Sequence, residues 1–177
     1  ANRNFVYVNI SGNAVAMPWK AKVAGIVQGW FIGAESGEAL ASILTGDANP
    51  SGKLPFTWVN SLKETGAHAL NTYPNLRQEG GASTKGNIID EEYKEGIYVG
   101  YRWTDKERIK PTFAFGHGLS YTQFAISNLR SDKMQMKQDG TITFTVNVKN
   151  TGKRAGAETV QLYIHDVKSS VDRPQKE

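Results

Sequence analysis

Apolar positions along this chain change their spacing repeatedly, and each change predicts a change of backbone. Residues 5–10, Phe-Val-Tyr-Val-Asn-Ile, form a near-continuous apolar run rich in β-branched and aromatic side chains, closed by Ser11-Gly12-Asn13. Such a run predicts a parallel strand covered on both faces. A second short extended piece, Ala14 to Met17, stops at Pro18. Val23, Ile26, Val27 and Trp30 fit a strand or a short amphipathic element equally well, and the spacing leaves both open. From Glu35 to Leu44 the period becomes helical: Ala39, Leu40, Ile43 and Leu44 share a face, with Glu35 and Glu38 where carboxylates suit the helix dipole. Gly33 and Gly37 at its start predict close helix–strand packing.

The hinge of the chain is Gly46-Asp-Ala-Asn-Pro-Ser-Gly-Lys-Leu-Pro-Phe-Thr-Trp58. Gly46 stands where a left-handed helix cap is expected, Asn49-Pro50-Ser51-Gly52 has turn chemistry, and Leu54, Phe56 and Trp58 alternate as a strand does. From Val59 to Glu92 the pattern dissolves into polar residues, most strongly over Gln78–Asn87. A second extended run is predicted over Gly96–Trp103, where Ile97, Val99 and Tyr101 alternate with Tyr98, Gly100 and Arg102. Pro111–Tyr121 interleaves aromatics with glycines, with Phe113, Phe115 and Tyr121 as anchors, and reads as the boundary between modules. Beyond Thr122 the pattern is all β. Residues 141–148 alternate strictly, predicting one face of Ile142, Phe144, Val146 and Val148, and Val160, Leu162 and Ile164 alternate again. This is the start of a β-sandwich. The fold class is therefore α/β followed by all-β, with domains at 1–121 and 122–177.

Composition narrows the function classes. At 177 residues, 39% hydrophobic and 21% charged, the chain can bury a core. A net charge of +4 with scattered basic residues gives no nucleic-acid stripe, and no apolar run reaches the roughly 20 residues of a membrane span. With no cysteine, thiol chemistry and cysteine metal sites are excluded, and His68, His117 and His165 lack metal-ligand spacing. No metal and no organic cofactor is expected. No signal peptide precedes the first strand, and because almost nothing precedes it at all, a piece of a longer protein is expected.

Several stretches invite chemistry. Gly46–Lys53 looks like a phosphate-binding loop, but its glycines are too far apart, Leu54 follows the lysine, and the order runs from helix to strand. Asn9-Ile10-Ser11 fits the glycosylation pattern, yet in a buried strand it reads as chance. Glu35, Asp47, Asp90, Glu91, Glu92 and Glu95 are the carboxylates near loops. Asp90-Glu-Glu92 could in principle make a general acid but reads better as a solvated turn, and Asp47 is expected to bind backbone in its own turn. Tyr101, Arg102 and Trp103 suit sugar faces and hydroxyls, and are the candidate substrate-binding residues; packing between modules is the competing use.

Several long phrases together resemble glycoside hydrolase family 3, mostly β-glucosidases and related exo-acting glycosidases. They are Ala39–Thr57, Tyr93–Arg102, Phe113–Thr122 and Val148–Gly156, followed by Val160-Gln-Leu-Tyr163 and Arg173-Pro174. One departure is Ile32-Gly-Ala-Glu-Ser-Gly37, where relatives usually carry Pro-Gly-Gln-Glu-Gly-Gly. The resemblance implies a (β/α)8 barrel, an α/β sandwich and a fibronectin type III-like β-sandwich, with this chain supplying the later part of the second and the first half of the third. It implies retaining hydrolysis by two carboxyl groups roughly 5–5.5 Å apart, on a β-glucoside or oligosaccharide substrate, in a periplasmic or secreted setting. By the same likeness the nucleophilic aspartate lies in the barrel and the acid/base glutamate upstream of Phe5, so no catalytic residue is expected in this chain. A non-catalytic carbohydrate-binding or docking module, partnering a separate catalytic chain, is the alternative.

Overall fold

The computed structural model describes residues 2, 4–73 and 92–177. The polar stretch Gln78–Asn87 and the acidic residues Asp90 and Glu91 lie outside them. The chain divides into two compact units: Ala1–Ser36, Lys53–His117 and Val160–Glu177 form the first, and Gly37–Gly52 with Gly118–Thr159 the second.

In the first unit, β1 (Val6–Asn9) pairs in parallel with β2 (Gly25–Gln28), Val6 opposite Gly25 and Asn9 opposite Gln28. Backbone bonds from Ala24 to Phe5 and from Gly29 to Asn9, both 2.8 Å, extend the ladder at each end. The parallel pairing is as the apolar run predicts. Cover on both faces is not found, because Val6 is 41% exposed and only Asn9 of β1 is buried. The ambiguous stretch before β2 resolves into a single 3-10 turn at Lys20–Lys22 followed by the strand.

The core of this unit is built around Trp58. Its ring is 1% exposed, stacked at 5.8 Å on Phe56 and edge-on at 6.3 Å to Phe113, and its indole N–H donates to Val15 O at 2.8 Å. Trp58 and Phe113 also exchange both backbone bonds, at 2.8 and 3.1 Å. The alternation of Leu54, Phe56 and Trp58 thus forms an antiparallel contact with Phe113–His117, in which Leu54 N–H donates to His117 O at 2.9 Å. The unit also contains the short helix α2 (Gly66–Ala69) and the helix α3 (Tyr101–Lys106).

Helix α3 corrects the extended run predicted over Gly96–Trp103. The alternation is read across two glycines that both take positive φ, Gly96 at 56° and Gly100 at 64°. No strand continues through such conformations, and Gly100 instead caps a helix that ends on Lys106, a cation suited to the C-terminal dipole.

The second unit holds α1 (Ser36–Thr45), apart from its first residue, and the antiparallel strands β3 (Phe124–Ser131) and β4 (Phe144–Asn150). Gly46 caps α1 at φ 86°, as its place after the periodic run predicts. Gly33 and Gly37 correct the close-packing expectation. Among the described residues nothing lies within 4 Å of a Cβ at either, and Gly33 instead supplies a φ of 81°.

In β3 a register shift falls between Ser127 and Arg130, with Asn128 at φ 56° forming the bulge. Ile126 pairs with Val148, and Phe144 with Ser131. Of the predicted apolar face, Phe144, Val146 and Val148 lie on β4 and Ile142 lies before it, and the face is not buried among the described residues, since Phe144 and Val148 stay 41% and 46% exposed. The expected third strand is absent from the described sheets. Val160, Leu162 and Ile164 belong to no described strand and are exposed, although Ile164 exchanges backbone hydrogen bonds with Glu177.

Candidate functional site

Helix α3 places its residues on distinct faces because neighbours four apart stack. Trp103 points inward: it is buried, and its indole N–H donates to Glu64 O at 3.0 Å. Gly66 makes room for that ring, since a Cβ there would lie 3.2 Å from it. Tyr101 and Asp105 form a second face and Arg102 and Lys106 a third.

The Tyr101 ring lies 5.6 Å from Phe115 and 5.7 Å edge-on from Tyr163. Two cations approach it, the Arg102 guanidinium at 5.5 Å and Lys176 Nζ at 5.9 Å from the ring centroid. Lys176 also pairs with Asp105 at 2.7 Å, and Arg102 Nε lies 3.6 Å from a Glu177 carboxylate oxygen. Each of these pairs is partly exposed and worth about 0–1 kcal/mol by itself. The structure therefore brings Tyr101 and Arg102 together but turns Trp103 away from them, so the three do not form one surface.

Their partners carry no signal in the sequence. Asp172, Lys176 and Glu177 lie far from α3 in sequence, yet they meet Tyr98, Asp105 and Arg102 across about 70 residues of chain, the first at 2.5 Å between the Tyr98 phenol and Asp172. The Asp172 carboxylate that accepts the phenol proton holds Tyr98 above the ordinary phenol value; burial and the carboxylate's charge add to this.

Asn9, Asp47 and Glu92 are engaged locally, whereas Glu95 keeps a buried carboxylate oxygen with no hydrogen-bond partner among the described residues. Asn9, 5% exposed, donates from its amide to Ser11 Oγ at 2.7 Å and Gln28 Oε1 at 2.6 Å, which fits the reading of its glycosylation pattern as chance. Asp47 corrects the expectation of a backbone partner: its carboxylate accepts the Thr45 hydroxyl at 2.6 Å. Glu92 pairs with Lys94 at 2.6 Å. Among the described residues no cluster of His, Asp or Glu could hold a metal, and no helix is long and apolar enough to cross a membrane.

His117 has its pKa displaced in the opposite sense to that of Tyr98. Its ring stacks on Phe113 at 5.0 Å and 18°, and Lys20 lies 5.9 Å over that same Phe113. Burial lowers its pKa, and the charge of Lys53 lowers it further. The unfolded chain therefore takes up this proton first, near the ordinary value of about 6.5. Stability from His117 is present above that value and is lost as pH falls through the lower folded value. Urea titrations at about pH 7.5 and about pH 5 should show a larger loss in the unmodified chain than in His117→Gln. Equal losses would contradict this.

Residues 1–101 match the model of the glycosyl hydrolase family 3 C-terminal domain. The chain is 48% identical over 176 residues to Beta-glucosidase BoGH3A of Bacteroides ovatus, covering 99% of this chain and 22% of that protein. It is 45% identical over 174 residues to Thermostable beta-glucosidase B of Acetivibrio thermocellus, covering 98% and 21%. Among solved structures it is similar to DesR, a β-glucosidase from Streptomyces venezuelae in complex with D-glucose, with a TM-score of 0.83 and 37% identity over 99% of this chain and 21% of that one. A Bifidobacterium adolescentis family 3 β-glucosidase gives a TM-score of 0.84 at 33% identity, over 99% and 24%. The chain spans about a fifth of the length of the curated relatives it matches, 22% and 21% of the two above.

Proposed function

The chain belongs to glycosyl hydrolase family 3, and on that premise we propose that it is the C-terminal portion of a retaining, exo-acting β-glucosidase and is inactive alone. The observation that carries this reading is the lopsided coverage: nearly all of this chain aligns, but only 22% of BoGH3A. Retaining hydrolysis needs a nucleophilic carboxylate and an acid/base carboxyl about 5–5.5 Å apart, flanking the scissile bond. Four of the described carboxylates have other occupations, Asp47 in a turn, and Asp105, Asp172 and Glu177 in contacts on α3 or the turn before it. Both catalytic groups are assigned to parts of the enzyme outside residues 1–177.

In this reading residues 1–121 are the later part of an α/β sandwich, supported by the parallel β1–β2 pair. Residues 122–177 are the first half of a fibronectin type III-like module, supported by the antiparallel β3–β4 pair and its open apolar face. Tyr101, Arg102 and Trp103 serve packing and not sugar contact, because Trp103 is buried and Arg102 faces Glu177. The whole enzyme would release terminal β-linked glucosyl units from oligosaccharides or β-glucosides. An assay of the chain on an aryl β-glucoside tests the reading: release at the buffer rate is expected, and steady turnover above it would overturn the proposal.

A further inference from the structure

The segment from Ile164 to Glu177 has no regular secondary structure, yet it is closed at its base and fastened along one side. At the base, Ile164 N–H donates to Glu177 O at 2.8 Å, and Glu177 N–H donates back to Ile164 O at 2.9 Å. That is the two-way exchange of an antiparallel pair. Along the side, the fastenings go to α3 and the turn before it. Asp172 accepts the Tyr98 phenol at 2.5 Å and lies 3.8 Å from Lys106, Lys176 meets Asp105 at 2.7 Å, and Glu177 lies 3.6 Å from Arg102. Pro174 is buried within it, whereas Val167 and Val171 are exposed.

A segment held in this way has a distinctive response to salt. Apolar burial does not depend on ionic screening, but partly exposed ion pairs weaken as the Debye length shrinks from about 10 Å at 0.1 M to about 3 Å at 1 M. Few buried side chains and open backbone also place a segment at the low end of local stability. We propose that residues 164–177 form a strap that opens from α3 as one piece, latched at Asp172, while β1, β2, β3 and β4 stay folded. Asp172 is the latch because it joins two groups that also touch each other: Lys106 Nζ lies 3.6 Å over the ring of Tyr98, which is buried. Opening would expose Tyr101 and Arg102 further, since Lys176 and Glu177 of the strap pack against them when it is closed. This inference is independent of the proposed glycosidase role.

Hydrogen exchange on the complete chain tests it, read by mass spectrometry in two arms. In Asp172→Asn, the amides of Ile164 and Glu177, which donate to backbone carbonyls across the base of the strap, should exchange about tenfold faster with those of β1 to β4 unchanged, and raising salt from about 0.1 M to about 1 M should do the same in the unmodified chain. If the variant unfolds throughout, the salt arm decides. Exchange in 164–177 that ignores salt, or rises only together with that of β1 and β2, would overturn the strap.

Discussion

Replacing Trp58 with alanine should destabilise the chain by about 3–5 kcal/mol, the range for deleting a large aromatic from a core. Trp58 is the one large side chain that is essentially fully buried among the described residues. The substitution would remove the ring between Phe56 and Phe113 and leave the Val15 carbonyl without its indole donor. Few other apolar side chains share the load, chiefly Met17, Tyr98 and Trp103. Against a total of about 5–15 kcal/mol, the loss takes a large fraction. In thermal unfolding followed by near-UV circular dichroism, it corresponds to a fall of about 6–20 °C in Tm. Trp58→Phe, which keeps an aromatic ring for the stacking and loses the indole donor and part of the ring volume, should fall less. Equal falls for the two variants would place the value of Trp58 in its hydrogen bond and contradict the packing account.

The second large effect is expected at Asn49. Its side-chain oxygen accepts from Ser120 Oγ at 2.9 Å and from Tyr121 N–H at 2.7 Å, and its amide donates to Ala155 O at 2.8 Å. One side chain thus ties the turn after α1 to the approach to β3 and to the turn after β4. Around it Tyr121 donates its hydroxyl to Ile43 O at 2.7 Å, and Arg154 donates to Gly46 O. Net values of about 1 kcal/mol per bond, discounted for partial exposure, give about 2 kcal/mol for Asn49→Ala. Asn49→Asp keeps the acceptor and loses the donor, so it should fall between. Hydrogen exchange in β3 and β4 reads the difference directly, and unchanged protection in Asn49→Ala would remove this residue from the account.

These two residues lie in or beside the stretch where the sequence was easiest to read. Gly46, Asn49 and Trp58 each stand where turn chemistry or alternation has a local cause, and α1 follows from a plain helical period. Legibility fails where partners are distant or where glycine interrupts a pattern. The alternation of Ile97, Val99 and Tyr101 is real, but Gly96 and Gly100 at positive φ break it into a turn and a helix. Two glycines so spaced, followed by a short run ending in lysine, were the available signal. Val160, Leu162 and Ile164 show the opposite failure: the pattern is that of a strand, but among the described residues only Ile164 is paired, by a single backbone exchange with Glu177.

The candidate site divides along the same line. Tyr101, Arg102 and Trp103 were recognisable as an aromatic and basic cluster. Their assignment to packing depends on Glu64, Asp105, Tyr163 and Glu177, and contacts across such separations leave no local trace in one sequence.

The central claim, that both catalytic carboxylates lie outside this chain, is tested most directly by a pre-steady-state experiment. The chain is mixed at substrate-quality concentration with an activated aryl β-glucoside, and aryl alcohol is followed from the first milliseconds. A retaining nucleophile would release one equivalent per chain as the glycosyl–enzyme forms, even where the later hydrolysis is slow. The account predicts no burst and a slope equal to that of buffer. A burst approaching one equivalent per chain would contradict it and place a nucleophile within residues 1–177.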